Sequence, residues 1–113
     1  MRIVVLANTA WYLHNFRSNL MRALQEAEHE VIAVSPHDEY VMSLEAAGFT
    51  HQEWKVKGAG VNPFEEFFAI YRLYRLLREV RADVVLSFTP KCNIHGGIAA
   101  RLAGTRIINN VSG

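Results

Sequence analysis

Asp83-Val84-Val85-Leu86-Ser87-Phe88-Thr89-Pro90-Lys91-Cys92-Asn93 reads as an apolar strand that runs directly into a polar turn. A short, β-branched, nearly continuous apolar run is what a strand buried on both faces requires. The same pattern opens the chain at Ile3-Val4-Val5-Leu6 and recurs at Val31-Ile32-Ala33-Val34. Between these runs lie segments of helical period. From His14 to Ala27 the apolar residues Phe16, Leu20, Leu24 and Ala27 repeat at helical spacing, after a loop expected over Asn8 to Tyr12. Ser35 to Asp38 forms a turn with Asp38 as a helix cap, and a short helix follows to Ala47, closed by Gly48.

Phe49 to Val56 alternates loosely and is expected as a third strand. After the flexible Lys57-Gly58-Ala59-Gly60, Asn62-Pro63 opens the longest helix, to about Arg81. Beyond the Thr89–Asn93 exit loop, Ile94 to Ala103 forms a helix rich in small residues. Gly104 ends it, and Arg106 to Val111 makes a fifth strand. Strands alternating with helices imply parallel pairing through right-handed crossovers. The expected fold is therefore α/β: a Rossmann-like, doubly wound parallel sheet of about five strands, residues 1–113 forming a single domain.

Composition excludes several classes. A net charge of +1 gives no footprint for nucleic acid. The single cysteine, Cys92, excludes an internal disulfide and suits a reducing, cytoplasmic setting. Five histidines share no ligand-like spacing, so neither a metal site nor a cofactor is expected. His29 reads as structural, whereas His14 and His95 fall near the presumed ligand edge. The apolar run after Met1 is shorter than the roughly 7–15 residues of a signal-peptide core.

An open parallel sheet binds ligands outside the carboxyl ends of its strands. The first such loop, Ala7 to Leu13, contains no glycine, which argues against a dinucleotide fingerprint. Asn8 and Thr9 either cap the following helix or line a polar site. In the loop after strand four, Lys91 offers a cation to a phosphate or diphosphate, a solvated lysine being the alternative. Asn93 offers a donor and an acceptor, although its position also suits capping. Gly96-Gly97 allows close approach of a neighbour or ligand. No carboxylate pair falls on these loops, and Glu65-Glu66 reads as complementing a helix dipole. The longest helix is apolar around most of its circumference, so it buries a second face against another chain or domain, or touches a membrane through Arg72, Arg75, Arg78 and Arg81. An ordinary core helix with solvated arginines is the alternative.

Taken in order, several segments resemble the amino-terminal domain of family 4 glycosyltransferases of the GT-B fold, of the bacterial capsule, exopolysaccharide and lipopolysaccharide type. They are Asn15-Phe16-Arg17, His29-Glu30-Val31, Ser35-Pro36 with Asp38, Ala47-Gly48-Phe49, Asn62-Pro63, Asp83-Val84-Val85, Thr89 to Ile94, and Ala99 to Gly104. Val111-Ser112-Gly113 is similar to the start of the family's glycine-rich stretch. One departure is Glu28, where the family usually has a helix-stopping glycine. The resemblance implies an enzyme, a retaining glycosyltransferase that moves a sugar from a nucleotide-sugar donor to a glycan or lipid-linked acceptor, without a metal. It acts in surface polysaccharide biosynthesis, in the cytoplasm at the inner face of the plasma membrane. This chain would supply the acceptor side, inactive alone, with the donor-binding carboxyl-terminal domain absent. By position, Asn8, Thr9, Arg17, Lys91, Asn93, Ser112 and Gly113 are the substrate-binding candidates. The alternative is a non-catalytic, membrane-docking subunit of a two-chain glycosyltransferase. A flavodoxin-like signalling domain is disfavoured, because Asn8 and Thr9 stand where an acidic cluster would be needed.

Overall fold

The computed structural model describes residues 1–56 and 63–109. The chain runs β1 (Arg2–Leu6), α1 (Ala10–Phe16), α2 (Ser18–Glu26), β2 (Glu30–Ser35), α3 (Val41–Ala46) and β3 (Thr50–Glu53). It continues as α4 (Pro63–Glu79), β4 (Val84–Ser87), α5 (Pro90–Ala103) and β5 (Arg106–Asn109). The five strands form one sheet in the order β3-β2-β1-β4-β5. Every pair is parallel, with Ile3 opposite both Val31 and Val84. This is the doubly wound architecture expected from the apolar runs.

Alternation along β1 explains the two layers. Ile3 and Val5 face one side and pack with Leu13, Met21 and Leu44 of α1, α2 and α3. Val4 and Leu6 face the other side and pack with Leu73, Leu77, Ala99 and Ala100 of α4 and α5. Successive side chains on a strand point to opposite faces, so a continuous apolar run feeds both cores. Gly96 brings α5 onto the sheet. A Cβ there would stand 3.0 Å from Leu6 Cδ2 and 3.3 Å from Ile107 Cδ1. Gly97 has no such neighbour, so close approach is needed at one of the two glycines.

Four local expectations are corrected. The helical stretch from His14 to Ala27 is two helices, not one. The break falls at Arg17, whose backbone (φ −126°, ψ 4°) leaves the helical region, and the Ser18 hydroxyl donates to the His14 carbonyl at 2.5 Å. Such side-chain bonds to the preceding turn compete with the helical ladder. The loop after β1 is shorter than expected, because Thr9 caps α1 and places Trp11 and Tyr12 inside the helix. β3 is confined to Thr50–Glu53, and Trp54, just past it, turns into the core. Finally, α5 begins at Pro90 and takes in Lys91, Cys92 and Asn93. Thr89 occupies the cap position and Pro90 the first helical position, where a missing N–H costs nothing.

Helices α2, α3, α4 and α5 close in the same way. His29 N–H donates to Leu24 O, Phe49 to Leu44 O, Ala82 to Leu77 O and Thr105 to Ala100 O. Each closure needs a residue of positive φ just past the helix. Gly48 and Gly104 fill two of these places, and Glu28 (φ 69°) and Arg81 (φ 55°) fill the others.

Candidate functional site

The order of the sheet decides where a ligand fits. The chain leaves β1 for one face and β4 for the opposite face, and the two strands are neighbours, with Leu6 opposite Ser87. Their exit loops therefore diverge at the carboxyl edge, the topological switch point where folds of this kind hold ligands.

On the β1 side, Thr9 is the cap of α1, its Oγ1 accepting from the Tyr12 N–H at 3.0 Å. Asn8 beside it is exposed. A second orphan amide of α1, that of Trp11, donates to Asp38 Oδ2 at 3.1 Å, and the other oxygen of Asp38 accepts from the Tyr40 N–H at 2.8 Å. One carboxylate thus ties the exit of β2 to the start of α1 and meets the positive end of that short helix. Asp38 was legible as a cap, but its bond to a residue 27 positions away was not.

Arg17 is carried to this edge by the break between α1 and α2. Its guanidinium carbon lies 4.5 Å from the centre of the Phe88 ring and 5.3 Å from that of Tyr12. Nη2 donates to the Tyr12 hydroxyl at 2.8 Å and Nη1 to the Phe16 carbonyl at 3.2 Å, whereas the buried Nε makes no hydrogen bond among the described residues. Phe88 directly follows β4, with its N–H on Leu6 O. A cation therefore lies over two rings at the junction of β1 and β4, which hold it in place. Phe88 and Tyr12 escaped the sequence reading because nothing local marks a ring as a platform for a distant arginine.

On the β4 side, Thr89 caps α5 by backbone geometry alone, its Oγ1 making no hydrogen bond among the described residues. Asn93 is not the cap. Its N–H donates to Thr89 O at 2.8 Å, which places it one full turn inside the helix with a half-buried side chain. Lys91 is the second residue of the same helix. The structure thus brings Thr9, Arg17 and the first turn of α5 to one edge. Ser112 and Gly113 lie outside the described residues.

The histidines divide. His14 packs its ring 5.7 Å from that of Tyr40. His29 meets the amino terminus of Met1 through Nδ1 at 3.3 Å, the structural part expected of it. His95 is buried between α5 and α4, its Nε2 paired with the Glu66 carboxylate and its ring 5.8 Å from that of Trp54. Glu66 accordingly does more than offset a helix dipole: it anchors α4 to α5. His51 Nε2 lies 2.9 Å from Ser35 Oγ, and burial pushes its pKa below the usual histidine value, against the opposing fields of Glu45, Asp38 and Glu53. Near it, at the ends of β2 and β3, His37, Trp54, Lys55 and Arg72 line an open cavity of about 340 Å³. Among the described residues no three His, Cys, Asp or Glu side chains are grouped to hold a metal.

The fold is an α/β domain of the doubly wound class. The chain belongs to the family described as "Glycosyl transferase 4-like", whose model matches residues 2–113. It is 29% identical over 103 residues to the N,N'-diacetylbacillosaminyl-diphospho-undecaprenol alpha-1,3-N-acetylgalactosaminyltransferase of Campylobacter jejuni, covering 91% of this chain and 27% of that enzyme. Among solved structures it superposes on Acinetobacter baumannii MurG with a TM-score of 0.76 at 18% identity, covering 99% of this chain and 36% of that one. A glycosyltransferase from Rickettsia africae gives a TM-score of 0.75 at 14% identity, with 96% and 28% covered. At such identities the two structures speak to fold alone, and they share the Rossmann-like domain described above. The chain spans about a quarter of the length of the curated relative.

Proposed function

We propose that the chain is the amino-terminal, acceptor-side domain of a retaining glycosyltransferase. It takes part in moving a sugar from a nucleotide-sugar donor to a glycan or lipid-linked acceptor in surface polysaccharide biosynthesis, in the cytoplasm at the inner face of the plasma membrane. The donor is held by a further domain, and the 113-residue chain alone is inactive. Membership of the family supports the reaction class, and the relative's diphospho-undecaprenol substrate supports the kind of acceptor.

The observation that carries the reading is the junction of β1 and β4, where Arg17 lies over Phe88 and Tyr12 at the edge that also carries the cap of α1 and the first turn of α5. Transfer from a nucleotide sugar develops negative charge on the departing diphosphate. A cation and helix amides fixed in advance at that point lower the barrier without reorganisation. Arg17 and Lys91 take that role; Asn8, Thr9 and Asn93, with Ser112 and Gly113, contact the substrates. In a version of the chain joined to a donor-binding domain, Arg17→Ala lowers kcat/KM by roughly 100-fold. An unchanged rate overturns the assignment. Turnover at an ordinary rate by the chain alone overturns its dependence on a second domain.

A further inference from the structure

Asp38 is not among the substrate-contacting residues, yet it holds the element that carries Arg17. β1 and β2 leave the sheet side by side, with Leu6 opposite Val34 and the Ala7 N–H on Val34 O at 3.1 Å. The turn after β2 is therefore delivered next to the start of α1. That turn is closed on itself. The Tyr40 N–H donates to Asp38 Oδ1 at 2.8 Å, the Val41 N–H to the Asp38 carbonyl at 3.2 Å, and the Ser35 hydroxyl to the Pro36 carbonyl at 2.9 Å. The other carboxylate oxygen, Oδ2, accepts from the Trp11 N–H of α1 at 3.1 Å.

α1 needs this tie. It has seven residues, and isolated helices shorter than about 12–15 residues are marginal in water. Its buried residues, Ala10 and Leu13, lie one turn apart on a single stripe, which settles the face that meets the core. Apolar burial is non-directional, so it defines a slide along the helix axis only weakly. A hydrogen bond to the first turn has a length and a direction, and it defines that slide. The His14 ring, 5.7 Å from that of Tyr40, meets the same turn a second time.

What α1 positions is the cation. Tyr12 lies on α1; its hydroxyl accepts from Arg17 Nη2 at 2.8 Å, and its ring centre is 5.3 Å from the guanidinium carbon. The same carbon is 4.5 Å from the centre of the Phe88 ring. Phe88 is fixed by the sheet through its N–H on Leu6 O, whereas Tyr12 is fixed only as well as α1 is. A shift of α1 moves one ring against the other.

We propose that Asp38 is a positioning residue: through the Trp11 amide it fixes α1, so that Tyr12 and Phe88 together hold Arg17 at the junction of β1 and β4. The placement itself needs no substrate. Its effect on turnover rests on the transferase reading above.

Two measurements test it. In the 113-residue chain, the rings of Phe88 and Tyr12 displace the nuclear magnetic resonance signal of the Arg17 Nε–H from the ordinary arginine position. Asp38→Ala returns the signal toward that position. Asp38→Asn, which keeps one carbonyl acceptor, returns it by less. Glu39→Ala, an exposed neighbour in the same turn, leaves it in place. Thermal melts confirm that each variant is folded at the temperature of measurement. In a version joined to a donor-binding domain, Asp38→Ala lowers kcat/KM at least about tenfold, but less than about twofold when Arg17 is already alanine. Equal losses in the two backgrounds mark a general structural role and overturn the proposal. So does an Arg17 signal that starts at the ordinary position or that Asp38→Ala fails to move. If the joined protein transfers no sugar, the transferase reading falls, and the resonance still decides the placement.

Discussion

Helices α2 and α4 cover opposite faces of the same sheet, yet they turn different surfaces to solvent. α2 buries Met21 and half-buries Leu20 and Leu24, and it exposes Asn19, Arg22 and Glu26. α4 buries Ala69, Leu73 and Leu77 and exposes three phenylalanines and a tyrosine. A sheet needs one apolar stripe from each helix that covers it. α2 supplies that stripe and stops; α4 supplies it and carries a second apolar surface that the fold does not consume. An apolar excess of this kind marks a place where the molecule meets something else.

The sharpest way to break the comparison is to cut α4 on each side. Leu73→Ala removes a wholly buried side chain and costs about 2–5 kcal/mol. Phe67→Ser, two turns away on the outer face, costs less than about 0.5 kcal/mol, within the range of ordinary surface changes. Chemical denaturation of the two variants measures both. Similar losses at the two positions would show that the outer rings are core after all, and the distinction between α2 and α4 would disappear.

The strands were legible because a two-sided core demands apolar residues at every position, and this demand is local to four or five residues. The layers followed from parallel connectivity. What the sequence concealed were events decided by one hydrogen bond or by distant partners. The break at Arg17 turns on the Ser18 hydroxyl reaching the His14 carbonyl, and helical periodicity does not register it. The start of α5 was marked by Thr89-Pro90, a signal that the reading passed over in favour of a loop. The candidate site was half visible: the edge and the polar residues on it could be named. The platform of Arg17 depends on Phe88, which only the sheet brings near.

A smaller effect is expected at the helix ends, where the two layers behave alike. Gly48→Ala, at φ 93°, forces a side chain into a conformation it disfavours and costs about 1–2 kcal/mol. Glu28→Gly does the reverse. Glu28 holds φ 69° with an exposed side chain, so glycine relieves strain and stabilises by about 1 kcal/mol, a rise in Tm of roughly 4 °C. Arg81→Gly, at the end of α4, gains by the same mechanism. Loss of stability at Glu28→Gly would mean that the closure of α2 depends on the glutamate itself.

The smallest effect concerns pH and belongs to the β2–β3 end of the sheet. Burial lowers the pKa of His51 in the folded chain, with His37 adding to the same direction and Glu45, Asp38 and Glu53 opposing it. The unfolded chain, titrating near the usual value of about 6.5, therefore binds the proton first as pH falls. Stability from this group is complete above about pH 6.5 and is lost as pH drops through the lower folded pKa. The neutral ring keeps its contact with Ser35 Oγ; protonation adds a charge that the half-buried site solvates poorly. His51→Gln removes the group and flattens the fall in Tm between neutral and mildly acidic pH. An unchanged slope in that variant would assign the acid sensitivity to another group.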